Sequence, residues 1–176
     1  MKAKQIIGLI GILLFFIGSV WVLHIVSSGF KKKKNQYAYL PSFRLPDLNG
    51  VIITDTSIGR DKATLFYFFA PECNLCHLTI ESLKTRQQEF SDFQILLVTL
   101  LSEEKVKEFL AEIDFTLPEN TKIIFDENAE LITLMDIKGP PTSLIYKEAK
   151  LIKRFDGPVT IETLIKYLQQ HGKNNY

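Results

Sequence analysis

Cysteine is almost missing from this chain: its 176 residues contain two, Cys73 and Cys76. That scarcity excludes the disulfide-dense scaffold of a small secreted domain. A bridge between residues three apart also closes too short a loop to constrain the unfolded chain much, so a structural staple is a poor explanation of the pair. There is no internal repeat, no low-complexity tract beyond a lysine run, and no glycine-rich nucleotide motif, so any electrons the chain handles must come from a partner. Acidic side chains are absent before Asn35, where six lysines fall. From Asn35 onward 15 Lys and Arg meet 20 Asp and Glu, a net charge of about −5 that offers nucleic acid no basic surface.

Apolar residues, by contrast, are concentrated at the start. Ile6 to Val26 reads IIGLIGILLFFIGSVWVLHIV, uncharged apart from any titration of His24, and about 20 such residues in a helix cross a bilayer's hydrocarbon core. Trp21 and His24 suit its interface. A cleaved signal peptide is the rival, with Lys2 and Lys4 as its basic start and Val26-Ser27-Ser28 as its cleavage site, but signal cores run only ~7–15 residues. The expected organisation is a tail over 1–5, a transmembrane anchor over 6–26, a basic linker over 27–35 and one domain over 36–176. Lys31 to Lys34 read as a solvated spacer near anionic headgroups. Counted as flanking charge they would hold the domain in the cytoplasm, but a five-residue tail gives the positive-inside rule little to compare, and the chemistry below favours the outside.

Pro41–Pro46 and Val51–Thr54 around Asp47-Leu48-Asn49-Gly50 predict a hairpin. Thr64–Ala70 predicts a strand ended by Pro71, and a helix is expected over Asn74–Phe90 with Leu75, Leu78 and Leu83 facing the core. Gln94–Leu100 is a second strand, followed by a helix capped by Ser102 and ending near Ile113. Lys122–Phe125 predicts a strand, Glu127–Met135 a short helix, and Thr142–Tyr146 with Leu151–Phe155 a closing hairpin. A last helix, capped by Thr160, sets Ile161, Leu164, Ile165 and Leu168 on one face. Strands alternating with helices imply an α/β fold, a mixed sheet covered on both faces.

The two cysteines form Cys73-Asn74-Leu75-Cys76, a C-x-x-C between an apolar strand and a helix. A helix starting at Cys73 aims its free N–H groups and positive end at that sulfur and favours the thiolate, which makes Cys73 the expected nucleophile and Cys76 the resolving residue of thiol-disulfide exchange. On these residues, with the Pro41–Gly50 segment, Ala70-Pro71-Glu72 and Gly139-Pro140-Pro141-Thr142, the chain resembles the thioredoxin-like family, in the membrane-anchored, extracytoplasmic branch typified by TlpA and ResA proteins. The resemblance runs from about Pro41 to Leu168. It implies that Pro141 is cis and lies beside the cysteines, and that Pro140, Pro141 and Thr142 meet an incoming peptide. It further implies a client protein with disulfides or thiols, reduction as the preferred direction, a membrane thiol carrier as the electron source, and no cofactor or metal.

Three positions depart from the family. Glu72 stands where thioredoxins have Trp, Tyr67 where they bury an Asp, and Thr79 where anchored relatives often have Glu. Glu72 and Glu81 are the nearest acids, and both read as solvated. Rival chemistries share the same residues. Cys73 to His77 is also C-x-x-C-H, the c-type haem attachment motif, which would use His77 and a distal ligand such as Met135. Cys73, Cys76 and His77 also form a donor set for copper or zinc. Neither cysteine carries the Pro-x-x-x-[Thr/Ser]-x-x-Cys pattern of a peroxidase, and a redox-inert domain is the remaining alternative.

Overall fold

The computed structural model describes residues 12–26 and 36–172. The chain divides into two compact units, Met1–Gln36 and Tyr37–Tyr176. In the first, residues 12–26 are helical (α1) and carry exposed apolar side chains, among them Phe15, Phe16, Trp21 and Leu23. Among the described residues no helix is long and apolar enough to cross a membrane. Residues 6–11 of the expected anchor, the 1–5 tail and the 27–35 linker lie outside the described residues.

The second unit opens with the expected hairpin, β1 (Arg44–Pro46) and β2 (Ile52–Thr54), antiparallel with Leu45 opposite Ile53. The buried Asp47 shapes its turn, accepting the N–H groups of Asn49 and Val51 at 2.9 Å each, while Gly50 takes the left-handed conformation (φ 73°) that favours glycine. Next come β3 (Thr64–Phe68), α2 (Asn74–Thr85), β4 (Gln94–Thr99), α3 (Glu103–Glu112), β5 (Thr121–Phe125), α4 (Glu130–Leu134), β6 (Thr142–Lys147), β7 (Lys150–Asp156) and α5 (Ile161–Gly172). The sheet order is β5-β4-β3-β6-β7, parallel from β3 through β5 and antiparallel across β3–β6 and β6–β7. This is the mixed sheet that the alternation predicted. Period-two alternation along β3 splits its side chains between two cores, which is why the strand is apolar throughout. Leu65, Tyr67 and Phe69 pack with Cys76, Ile80 and Leu83 of α2, Val106 and Phe109 of α3, and Leu164 and Leu168 of α5. Phe66 and Phe68 pack on the opposite face with Phe43, Leu45 and Ile53 of the hairpin region and with Leu131 and Met135.

The helix expected over Asn74–Phe90 is shorter. It stops at Thr85, and Gln87–Phe90 forms a separate 3₁₀ turn, held where the Asn120 amide donates to the carbonyls of Phe90 (2.7 Å) and Phe93 (2.9 Å). Its phase also differs. Cys76, Thr79, Ile80 and Leu83 are buried at helical spacing, whereas Leu75 and Leu78 are 48% and 64% exposed, because the stripe facing the sheet runs through Cys76 rather than through the leucines beside it. Ser102 does precede α3, but its side chain makes no capping bond. The short helix starts at Glu130 rather than Glu127, because the Asp126 carboxylate gathers its first N–H groups.

The β6–β7 turn places two non-glycine residues, Glu148 (φ 52°) and Ala149 (φ 62°), in the left-handed region, the geometry that Asn-Gly satisfies without strain. Replacing Glu148-Ala149 by Asn-Gly should stabilise the domain by about 1 kcal/mol and raise its melting temperature by roughly 2–4 °C in a thermal scan. No change, or a loss, would show that these residues make compensating contacts.

Candidate active site

Beyond β3 the chain turns sharply: the Cys73 N–H donates to the Ala70 carbonyl at 3.0 Å, with Pro71 inside the turn. Cys73 is the N-cap of α2 in extended conformation (φ −90°, ψ 102°), and its Sγ accepts the Cys76 N–H at 3.2 Å. Its carbonyl accepts from Cys76 (2.8 Å) and His77 (3.1 Å). A sulfur used as a helix cap sits where unpaired N–H groups and the positive end of the helix converge, which lowers the cost of a negative charge on it. Cys73 and Cys76 are joined as a disulfide with Cα atoms 5.2 Å apart. The two sulfurs are unequal: Cys73 is half-buried and Cys76 is wholly buried. An attacker or a target therefore reaches Cys73 first.

The Pro140–Pro141 peptide is cis. In β6, Ser143 lies opposite Tyr67, on the face of the sheet that carries Cys76, and the buried Pro141 immediately precedes the strand. The Pro141 carbonyl is held by the Gly157 N–H at 3.0 Å. Thr142 is buried, and its hydroxyl donates inward to the Gly139 carbonyl at 2.7 Å, so its side chain is turned away from solvent. Pro140 is exposed and lines an apolar cavity of about 360 Å³ with Phe69, Ala70, Leu100, Leu101 and Ile137, at the C-terminal ends of β3 and β4. Crevices at that end of parallel strands are the usual ligand sites of α/β sheets. As a proline, residue 140 has no N–H and can only accept a hydrogen bond from a peptide laid beside it.

His77 turns its ring back onto the Pro71 carbonyl and stands edge-on to Phe109, with centroids 4.8 Å apart. Met135 is buried in the core on the opposite face of the sheet from Cys76. The C-x-x-C-H arrangement therefore does not bring Met135 and His77 to one centre. Among the described residues no three His, Cys, Asp or Glu side chains form a group suited to a metal ion. Glu72 and Glu81 are both exposed. Behind the cysteines lies a feature that sequence reasoning missed: the hydroxyls of Tyr67 and Ser143 are wholly buried, that of Tyr67 close to Thr79. Thr79, beside Tyr67, donates its own hydroxyl to the Leu75 carbonyl at 3.3 Å. Burial pushes the Tyr67 phenol above its ordinary pKa, with Thr79 a smaller opposing influence.

The sequence pattern of the AhpC/TSA family spans residues 38–156, the hairpin, the cysteine helix and the cis-proline loop together. The chain belongs to the AhpC/TSA family. It is 25% identical to the thiol-disulfide oxidoreductase ResA of a Bacillus cereus strain over 175 residues, covering 97% of this chain and 98% of that protein. ResA of Bacillus thuringiensis subsp. konkukian matches to the same extent. StoA from Bacillus subtilis superposes with a TM-score of 0.60 at 20% identity, over 74% of this chain and 98% of that one. A putative thioredoxin from Neisseria meningitidis gives 0.64 at 20% identity, over 75% and 88%. By family, thioredoxin-like fold and cysteine pair, this AhpC/TSA member is a thiol-disulfide oxidoreductase.

Proposed function

We propose that the protein is a membrane-anchored, extracytoplasmic thiol-disulfide oxidoreductase that reduces disulfides in client proteins. The observation that carries this reading is the position of Cys73, a half-buried N-cap sulfur bonded to a wholly buried Cys76. In the reduced protein the Cys73 thiolate attacks one client sulfur. A Cys73–client bond forms, the client disulfide breaks, and its other sulfur leaves as a thiolate that takes a proton. Cys76 then attacks Cys73 Sγ, closing the Cys73–Cys76 disulfide and releasing the second client thiol. No cofactor is needed.

Client binding is assigned to Pro140, Pro141 and Thr142: Pro140 offers its carbonyl and an apolar wall, Pro141 fixes the approach, and Thr142 braces the loop from inside. Residues 6–26 serve as the anchor, 27–35 as the linker and 36–176 as the redox domain. In support, 12–26 is helical with exposed apolar side chains, and the ResA match covers 97% of the chain, so it reaches into this N-terminal segment. An extracytoplasmic site suits a thiol pair without a nucleotide site, and a structural neighbour from Mycobacterium tuberculosis is described as a secreted disulfide oxidoreductase. Re-reduction falls to a membrane thiol carrier, and tethering raises the effective concentration of the domain toward it.

The test is equilibration with graded glutathione buffers followed by thiol trapping. A potential near about −270 mV is expected of a reductant, whereas one near about −120 mV would reverse the direction of electron flow. A reporter fused after residue 176 should be active outside the cytoplasm; activity inside would refute the orientation.

A further inference from the structure

The residue after the second cysteine binds the turn that carries the first. That turn is closed by the Cys73 N–H on the Ala70 carbonyl at 3.0 Å, a bond that leaves the Pro71 carbonyl outside it. His77 holds the turn twice: its backbone N–H donates to the Cys73 carbonyl at 3.1 Å, and its ring Nε2 meets the Pro71 carbonyl. A carbonyl only accepts, so Nε2 carries the proton, as it does both in one neutral tautomer and in the imidazolium. The half-buried ring is also packed edge-on against Phe109 of α3, with centroids 4.8 Å apart. Phe109 in turn packs on Phe69, the residue just before the turn, at 6.0 Å. A solvated surface histidine would make neither contact. The ring-to-turn bond runs from 71 to 77 and so brackets the cysteine pair at 73 and 76.

We propose that His77 is a positioning residue: its ring clamps the Ala70–Cys73 turn to α2 and so keeps the reduced Cys73 and Cys76 thiols placed to close their bond. In the oxidised protein the disulfide itself joins the turn to the helix. Reduction removes that covalent link, and the clamp, with the backbone bond beside it, then limits the freedom of the turn. Order already present before reaction raises the effective concentration of one thiol at the other. It therefore favours the disulfide and makes the dithiol the stronger reductant. The clamp acts through the backbone of the turn and needs no contact with either sulfur. Charge on the ring is not required, since Nε2 donates in both protonation states. The charged residues nearest on the packed elements are Glu72 in the turn, Glu81 one turn along α2, and Lys105 and Glu112 one turn either side of Phe109, all exposed. Lys84, further along α2, is committed to the Ile113 carbonyl at 2.7 Å.

The inference rests on the disulfide-exchange reading, yet the two fail separately, because the clamp is read as a difference between variant and wild type in glutathione buffers, with no client and whatever the wild-type potential. In that equilibrium the Cys73–Cys76 bond forms, oxidising two thiols, and one glutathione disulfide is reduced to two thiols. A hydrogen bond of ordinary net strength is worth up to about tenfold in an equilibrium. His77→Leu, which can still pack on Phe109 but has no donor, should therefore lower the constant for disulfide formation by about fivefold to tenfold. That is a shift of at most about 30 mV toward a weaker reductant. His77→Gln, whose amide N–H reaches about as far as Nε2, should restore most of it. The difference between His77→Leu and wild type should be the same at about pH 5 and about pH 9, below and above the range in which imidazoles titrate. A lower melting temperature in both redox forms with an unchanged constant would mean a merely structural role and overturns the proposal. So does a shift of opposite sign, or one confined to acid pH and shared by His77→Gln, which would make His77 a charge acting on the thiolate. Should His77→Leu fail to fold, His77→Asn takes its place with the same expected fall, because its shorter amide does not reach the Pro71 carbonyl.

Discussion

Cys73→Ala should abolish disulfide exchange, whereas Cys76→Ala should leave the protein able to attack clients but unable to let them go. The asymmetry follows from the geometry. Cys73 alone combines partial exposure with the capped, electropositive end of α2; Cys76 is wholly buried one turn along. Loss of the attacking thiolate leaves only the wholly buried Cys76, so reduction of a disulfide substrate should fall by ~10³-fold or more, to the assay background. Cys76→Ala should accumulate covalent client adducts, visible after acid quench on a non-reducing gel, and Cys73→Ala should show none. If the adducts form through Cys76 instead, the assigned roles are reversed. The effect is catalytic rather than structural: so short a loop contributes at most about 2 kcal/mol through chain entropy, so both variants should fold and melt cooperatively.

Much of the fold was readable from local pattern. The strands announced themselves as apolar runs bounded by turn residues, and α5 as Ile161, Leu164, Ile165 and Leu168, all buried as their spacing requires. The errors arose where tertiary partners decide. Leu75 and Leu78 look like core residues, and only the contact of Cys76 and Ile80 with the sheet turns them outward. The break after Thr85 depends on Asn120, about 35 residues further on, anchoring Phe90 and Phe93. At the site, the cysteine pair and Pro141 were legible as motifs. Tyr67 was legible only as a departure from a family pattern. Its opposition to Ser143 needs the β3–β6 register, a pairing between residues 76 apart that no local signal encodes.

Asp126→Ala should be the most damaging change outside the cysteines. Its carboxylate is wholly buried and accepts three backbone N–H groups, from Glu130 (2.7 Å), Leu131 (3.2 Å) and Ile132 (2.8 Å). The residue at the helix boundary, Ala129, has no side chain with which to cap and sits in the left-handed region (φ 55°), so Asp126 does the capping from outside the helix. Alanine leaves those donors without partners in a buried place, a loss of about 3 kcal/mol and roughly 10 °C in melting temperature. Asp126→Asn keeps one accepting oxygen and turns an amide N–H toward the others, so it should fall between wild type and alanine. The consequence extends to the site, since α4 leads through Met135 and Asp136, whose carbonyls Arg154 clamps at 2.6 and 2.9 Å, into the Pro140–Pro141 loop. Well below its melting point, Asp126→Ala should therefore reduce a small disulfide at the wild-type rate, because Cys73 and α2 are untouched. Its KM for a protein disulfide should rise if the Pro140–Pro141 loop is the client surface proposed above, because that loop is no longer held from behind. Equal losses on both substrates would mean that the damage is global rather than confined to the loop.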